Sequence, residues 1–224
     1  MRGELEPTPF ALQVVIASTR PGRAGEPIGS WFAGQCRRDE RFSVRVTDLA
    51  ELALPLMDEP NLPKMRQYVH QHTRSWSRTV DAADCFVFVM PEYNHGFCAA
   101  LKNAIDYLHE EWARKPVGFV SYGGQSGGMR AVQLLKPVLT CLRMLPVTDQ
   151  VALAHYARYI HDGRFQPGAD AELACRTMLD ELYRTTATLR RDEPAVVGGV
   201  APRVSLAWTP PSTSSQISSS STMP

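Results

Sequence analysis

Apolar and polar residues alternate in blocks along this chain, and the block lengths differ from one to the next. Phe10–Thr19 (FALQVVIAST) is a short apolar run rich in β-branched residues, the signature of a strand buried on both faces. After the polar turn RPGRAGEP, apolar residues recur at helical spacing from Ile28 to Arg38. Phe42–Leu49 (FSVRVTDL) alternates as a second strand, and the three prolines of ALPLMDEPNLP then enforce a loop. Lys64–Ala83 has the spacing of a helix, with Tyr68, Trp76 and Val80 as packing residues. DCFVFVMPEYN contains the third strand, and Ala99–Glu110 the third helix. Lys115–Gly124 (KPVGFVSYGG) predicts strand four, Met129–Met144 helix four, LPVTDQVAL strand five and Ala169–Arg190 a last helix. Five strands alternating with helices imply parallel pairing through right-handed crossovers, with helices on both faces of the sheet: an open α/β sandwich.

Length changes this picture little. A chain of 224 residues suffices for one well-buried domain and a tail. We assign residues 1–9 to an N-terminal arm, 10–192 to the folded domain and 193–224, dominated by Gly, Pro, Ser and Thr, to a disordered tail with too little apolar surface to offset its ordering entropy. Within that tail, Val204–Trp208 is the alternative, a segment able to dock on a partner subunit. The net charge of +1 provides no basic field for nucleic acid. Apolar stretches such as Cys85–Met90 fall far short of a membrane span, and the acidic, proline-containing start does not match a secretory signal. Five widely spaced cysteines without a C-x-x-C motif point to a reducing, cytoplasmic setting and away from a structural zinc site. His70 and His72, read as lying on one helix, would point to different sides and make poor metal ligands.

The chemistry is concentrated where strands end. In an open parallel sheet, ligands sit beyond the carboxyl ends of the strands, where the strand order reverses. Strand one is followed by STRPGR, strand three by PEYNHG and strand four by SYGGQSGG. If the sheet is parallel, all three loops fall on one edge. Ser18, Thr19, Arg20 and Arg23 lie between a strand and a helix N-terminus, where unpaired N–H groups, the helix dipole and guanidinium donors favour a phosphate. Neither a Walker A sequence nor G-x-G-x-x-G is present there, and a capped turn with exposed arginines is the plainer alternative. PEYN offers an amide beside an aromatic ring, and Gly123-Gly124 a bare backbone that a flat ring could approach.

A phosphate site at one end and a planar, hydrogen-bonding site at the other have the outline of a flavin nucleotide, and at these positions the sequence resembles the NADPH-dependent FMN reductase family of the flavodoxin-like fold. The resemblance rests on ASTRPGR, LPLMDEP, HTRSWS, FVFVMPEYNHGF, LKNAIDYL and SYGGQSGGMRA, in order from about Leu12 to Ala131. It implies a flavodoxin-like, doubly wound five-stranded parallel sheet in the order 2-1-3-4-5. It also implies that Ser18, Thr19, Arg20 and Arg23 hold the FMN phosphate. Pro91, Glu92, Tyr93 and Asn94 would line the ribityl chain and one side of the isoalloxazine, and Ser121, Tyr122, Gly123 and Gly124 would meet its pyrimidine edge. The sequence departs from the family pattern at Ala17, where glycine is common, and at Cys98, where proline commonly begins the helix.

By the same resemblance, hydride passes from NADPH or NADH to flavin N5 and on to a flavin, quinone or related small acceptor in ping-pong fashion, and the hydride transfer itself needs no acid–base pair from the protein. Glu92 is read as orienting its loop through backbone amides, the alternative being a catalytic base; Tyr93 and Tyr122 either flank the flavin or merely pack, Tyr122 being placed at the pocket rim; and Cys98 is a buried small residue without a resolving thiol. His95 is either a proton donor to a quinone or an ordinary loop histidine. Lys102 and Asp106 form either a local helical pair or part of a dimer-forming helix; a homodimer or tetramer is expected, and a flavin-dependent monooxygenase is one candidate partner that no residue specifies. No dedicated 2′-phosphate site is legible, with Arg23 and Arg130 the available candidates. The competing readings are a flavodoxin-type electron carrier, disfavoured by near-neutral charge, and a non-redox binding domain on the same scaffold.

Overall fold

The computed structural model describes residues 8–191; most of the N-terminal arm, and the tail with its Val204–Trp208 segment, lie outside the described residues. Four strands, β1 (Phe10–Ile16), β2 (Phe42–Asp48), β3 (Cys85–Pro91) and β4 (Pro116–Gly123), form a parallel sheet in the order β2-β1-β3-β4. The fifth position is shared by two short strands, β5 (Leu145–Pro146) and β6 (Val151–Ala154), both parallel to β4. Helices α1 (Gly25–Cys36) and α6 (Ala169–Arg191) cover one face, and α3 (Gln71–Asp81), α4 (Ala99–Asp106) and α5 (Met129–Cys141) the other. A single turn, α2 (Leu49–Leu52), follows β2.

Layering explains why the central strands lack polar alternation. Phe86, Phe88 and Met90 of β3 pack with Trp76, Leu101, Ile105 and Leu135 of the α3–α4–α5 layer. Cys85, Val87 and Val89 pack with Ile28, Phe32, Met178 and Leu182 of the α1–α6 layer. Successive side chains point to opposite faces, and both faces are covered, so every residue of β3 and β4 is buried. The edge strand β2 has only one covered neighbour and keeps exposed Ser43 and Arg45. Among the described residues no helix is long and apolar enough to cross a membrane.

Several elements differ from the sequence expectation. The helix expected over Lys64–Ala83 begins only at Gln71 and is preceded by a single 3₁₀ turn, Pro63–Met65. Arg66, in the left-handed region at φ 53°, breaks the helical path. Polar side chains then draw the segment onto Glu111, whose fully buried carboxylate accepts from Tyr68 Oη at 2.8 Å and Ser77 Oγ at 2.7 Å and forms an ion pair with Arg66 Nε at 3.3 Å. His70 consequently precedes the helix in an extended conformation, and its ring stacks on His72 at 5.2 Å instead of pointing to another side. Strand five is interrupted because the N–H groups of Thr148 and Asp149 turn away from β4 to the Glu181 carboxylate of α6. Between β6 and α6 a small antiparallel hairpin, β7 (Ile160–His161) and β8 (Arg164–Phe165), was not legible in the sequence. Helices three and four are also shorter than their patterns suggest, the latter ending where Arg143 adopts φ 61° and its N–H returns to the Thr140 carbonyl.

The Glu111 carboxylate is thus the anchor for residues 66–77. Glu111→Ala leaves the buried Ser77 hydroxyl without its acceptor and should cost about 3 kcal/mol in chemical denaturation. Glu111→Gln, which retains an acceptor oxygen, should cost about half as much; equal losses for the two would deny the carboxylate this role.

Candidate active site

Register carries the three polar loops to one edge. Ile16 pairs with Val89, Pro91 with Tyr122 and Tyr122 with Leu153, so β1, β3, β4 and β6 all end at the same level. Residues 18–23, 91–94 and 121–124 therefore meet as the parallel arrangement requires.

The first loop runs into α1, whose N-cap residue, Ala24, has no side chain able to accept from the first-turn N–H groups. Helix α1 approaches the sheet closely at this point. A Cβ on Gly25 would lie 2.1 Å from Ser18 Oγ and 2.8 Å from Tyr122 Oη, so the two hydroxyls occupy the space that any larger residue would need. Ser18 Oγ, Tyr122 Oη and Arg23 Nε are all buried without a protein hydrogen-bond partner. Burial pushes the Tyr122 phenol above its ordinary value, with the adjacent Ser18 hydroxyl acting in the opposite direction. Buried polar atoms are nearly always satisfied, so three orphans around one helix N-terminus fit an anionic ligand supplied from outside. Thr19 and Arg20 are exposed beside them. Arg23 is only partly available, because its guanidinium pairs with Asp48, which also caps α2 through the Ala50 N–H at 2.9 Å.

The second loop is a tight turn. Tyr93 and Gly96 exchange both backbone hydrogen bonds, at 2.9 and 2.8 Å, with Asn94 at φ 48° and His95 at φ 67° between them. Two consecutive left-handed residues define a type I′ turn, which Asn tolerates well. Tyr93, Asn94 and His95 stand exposed on its outside, and Pro91 is buried beneath. Glu92 does not orient the loop through backbone amides alone, as expected from the sequence. Its carboxylate accepts from Ser126 Oγ at 2.8 Å and Arg130 Nε at 2.8 Å, clamping the second loop to the third. Burial alone would raise the Glu92 carboxyl, but the Arg130 guanidinium and the Ser126 hydroxyl hold it below the ordinary carboxylate range.

The third loop folds back on itself. Ser121 Oγ donates to the Gly127 carbonyl at 2.8 Å, so this side chain is used within the loop. Gly128, at φ 87°, could not carry a Cβ, which would fall 2.8 Å from the Tyr122 nitrogen. Tyr122 is not at the rim: its ring is buried, packed edge-on against Tyr156 at 5.1 Å. Gly123 is buried and Gly124 exposed, leaving backbone as the surface of this edge.

The remaining matched stretches fasten to one another. Asn103 of α4 accepts from the Met57 N–H at 3.0 Å and donates to the Pro55 carbonyl at 2.7 Å, while Tyr107 Oη donates to Asp58 Oδ1 at 2.9 Å. Trp76 Nε1 donates to the Ala104 carbonyl at 2.8 Å. LPLMDEP, HTRSWS and LKNAIDYL are therefore one hydrogen-bonded block flanking the site. Cys98 Sγ donates to the Ala17 carbonyl at 3.3 Å, joining the two positions at which the sequence departs from the family pattern, and burial raises its thiol pKa. Lys102 and Asp106 form an exposed pair at 2.5 Å. Sequence reasoning did not single out Asp48, Ser126, Gly127, Gly128 or Tyr156; of these, Ser126, Gly127 and Gly128 had a visible signal, as part of SYGGQSGG.

Gly25→Ala should destabilise the protein by about 1–3 kcal/mol through overpacking, and adding Ser18→Ala should recover part of that loss; a fully stable single variant would contradict the close approach. Glu92 yields a pH signature. Its folded pKa is depressed, so its contribution to stability is present above the ordinary value of 4.5 and disappears as pH falls through the lower folded value. In denaturation measured across pH, Glu92→Gln should flatten the stability profile between pH 4.5 and the lower folded value, where the wild type loses this contribution.

Comparison with known proteins accords with this geometry. Residues 11–158 match the family model for NADPH-dependent FMN reductase. The chain is 39% identical over 168 residues to an NAD(P)H-dependent FMN reductase of Schizosaccharomyces pombe, covering 74% of this chain and 83% of the relative. It is 31% identical over 148 residues to an NAD(P)H-dependent FMN reductase of a Nectria species, covering 63% and 74%. In fold it is similar to the flavoenzyme NAD(P)H:(acceptor) oxidoreductase FerB of Paracoccus denitrificans, with a TM-score of 0.60 at 18% identity over 80% of this chain and 98% of that one. With the sheet order, the loop convergence and the sequence match in agreement, this chain belongs to the NADPH-dependent FMN reductase family.

Proposed function

We propose that the protein binds FMN along the edge formed by residues 18–23, 91–94 and 121–124, and uses it to oxidise NAD(P)H and reduce a small acceptor such as a free flavin or a quinone. The observation that carries this reading is the group of unpartnered buried donors, Ser18 Oγ and Arg23 Nε, at the uncapped N-terminus of α1. FMN, when bound, supplies the two-electron chemistry. The protein's tasks are positioning and electrostatics. The first-turn N–H groups of α1, Ser18, Thr19 and Arg20 hold the phosphate; Arg23, fixed by Asp48, adds positive charge beside it. The Glu92–Arg130–Ser126 clamp keeps the Pro91–Asn94 and Ser121–Gly124 loops at a constant separation, so that a flat ring finds a pre-formed slot. The N-terminus of α5, capped by Gly128 without a side chain, favours negative charge at that slot's edge. Glu92 is committed to Arg130 and is not the base of any step.

The quaternary reading follows from the same block of motifs. Leu56 and Leu62 are 83% and 72% exposed, and Met65 and Val69 are also exposed, on the segment held by α4. A homodimer, or a tetramer built from it, would cover this apolar surface. We further propose a cytoplasmic location, with a flavin-dependent monooxygenase as a recipient of reduced flavin.

The purified protein should show the visible absorbance of bound FMN, and anaerobic addition of NADPH or NADH should bleach it. Failure of both nucleotides to reduce bound flavin would refute the reductase assignment in favour of an electron carrier. Arg20→Ala should weaken FMN retention roughly tenfold by loss of a charge-assisted contact; unchanged flavin content would refute the phosphate assignment.

A further inference from the structure

A cavity of about 850 Å³ opens on the flank of α1, between its first turns and the β7–β8 hairpin. It begins at the phosphate loop with Arg20 and Arg23, and reaches Tyr156, whose ring packs on Tyr122 at the end of β4. Its wall carries Trp31, half-buried and braced edge-on by Phe165 at 5.4 Å, and across from α1 stands Arg164. Arg164 is presented by a two-residue hairpin turn in which Asp162 and Gly163 adopt φ 48° and 73°, a fixed turn geometry. Arg20 and Arg164 are exposed and make no ion pair among the described residues. The two sequence candidates for a 2′-phosphate are both engaged elsewhere, Arg23 with Asp48 and Arg130 with Glu92.

Resting on the reductase reading above, we propose that this cavity receives the adenosine half of NADPH, with Arg164 holding its 2′-phosphate and Trp31 or Tyr156 offering a ring face to adenine. The volume suits a nucleoside phosphate, and the uncommitted Arg164 guanidinium beside aromatic surface matches a phosphate joined to a planar base. Position decides which end of a ligand belongs here. A reacting ring must lie over the strand ends, whereas this cavity flanks α1; its occupant is a non-reacting, anchoring group. Glu26 also lines the cavity and is the one carboxylate there, so it opposes a phosphate. That opposition makes a second, independent test.

The probe is 2′,5′-ADP, titrated calorimetrically into the FMN-loaded protein beside 5′-AMP. The wild type should bind 2′,5′-ADP at least about tenfold more tightly than 5′-AMP. Arg164→Ala should abolish that difference and raise the ratio of KM for NADPH to KM for NADH by about tenfold, while Glu26→Gln should tighten 2′,5′-ADP binding. Equal affinities in the wild type, or undiminished discrimination in Arg164→Ala, would overturn the inference while NAD(P)H oxidation itself left the reductase reading standing. A change confined to KM for FMN as acceptor would overturn it in favour of an acceptor site. A protein unable to take up FMN would bring down both readings together.

Discussion

The close approach of α1 to the sheet is the constraint on which the site depends. Gly25, Gly29 and Ala33 lie on one face of that helix at successive i, i+4 positions, and all are buried. A Cβ on Gly29 would come within 2.5 Å of Ile16 Cδ1, and one on Gly25 within 2.1 Å of Ser18 Oγ. Only a stripe without branched side chains lets the helix backbone rest directly on the end of β1. Its first-turn N–H groups are thereby placed over the strand ends, where the other two loops arrive by register. Had α1 been held one side-chain layer further out, the same sequence of loops would have framed a gap with no field source above it.

Around that junction the polar groups divide into those that build the frame and those left open. Asp48 with Arg23, Glu92 with Arg130 and Ser126, Ser121 with Gly127, and Cys98 with Ala17 are all internal ties. Ser18 Oγ, Arg23 Nε and the α1 N–H groups are not consumed by them. A cofactor that carries its own redox chemistry needs this pattern more than it needs a proton donor, because its geometry is fixed by a rigid frame and its charge by a few open donors. The type I′ turn at Asn94 and His95 belongs to the frame too: it is closed by its own backbone hydrogen bonds and needs no ligand to hold its shape.

The parts of this architecture legible in the sequence were those set by local pattern. Uninterrupted apolar runs such as Cys85–Met90 marked the central strands, because burial on both faces removes polar alternation. Polar loops after strands one, three and four marked the edge, because parallel topology leaves them no other place. What escaped was set by contacts between residues distant in the chain. Lys64–His70 has helical spacing, yet Tyr68 and Arg66 bond to Glu111, more than forty positions away. Strand five reads as continuous, yet Glu181 captures the N–H groups of Thr148 and Asp149. Tyr122 belongs to a loop motif, but strand alternation turns its ring inward to Tyr156, a residue with no motif of its own. The residues of the α1-flank cavity come from two segments more than a hundred positions apart, and no single stretch could have announced it.

The same distinction explains why the two departures from the family pattern leave the site intact. Replacing a helix-starting proline by Cys98 frees a side chain to act as a donor, and the nearest acceptor is the carbonyl of Ala17, itself the other changed residue. The thiol thus ties the start of α4 to the exit of β1, at the point where a proline would have restricted the chain by its ring alone. From α4 the constraint continues through Asn103 and Tyr107 into residues 55–58, which have no regular secondary structure and are held by side-chain hydrogen bonds instead. Position on this side of the site is therefore transmitted by a short series of specific polar contacts running outward from the end of β1, just as on the other side it is transmitted by the glycine-lined packing of α1.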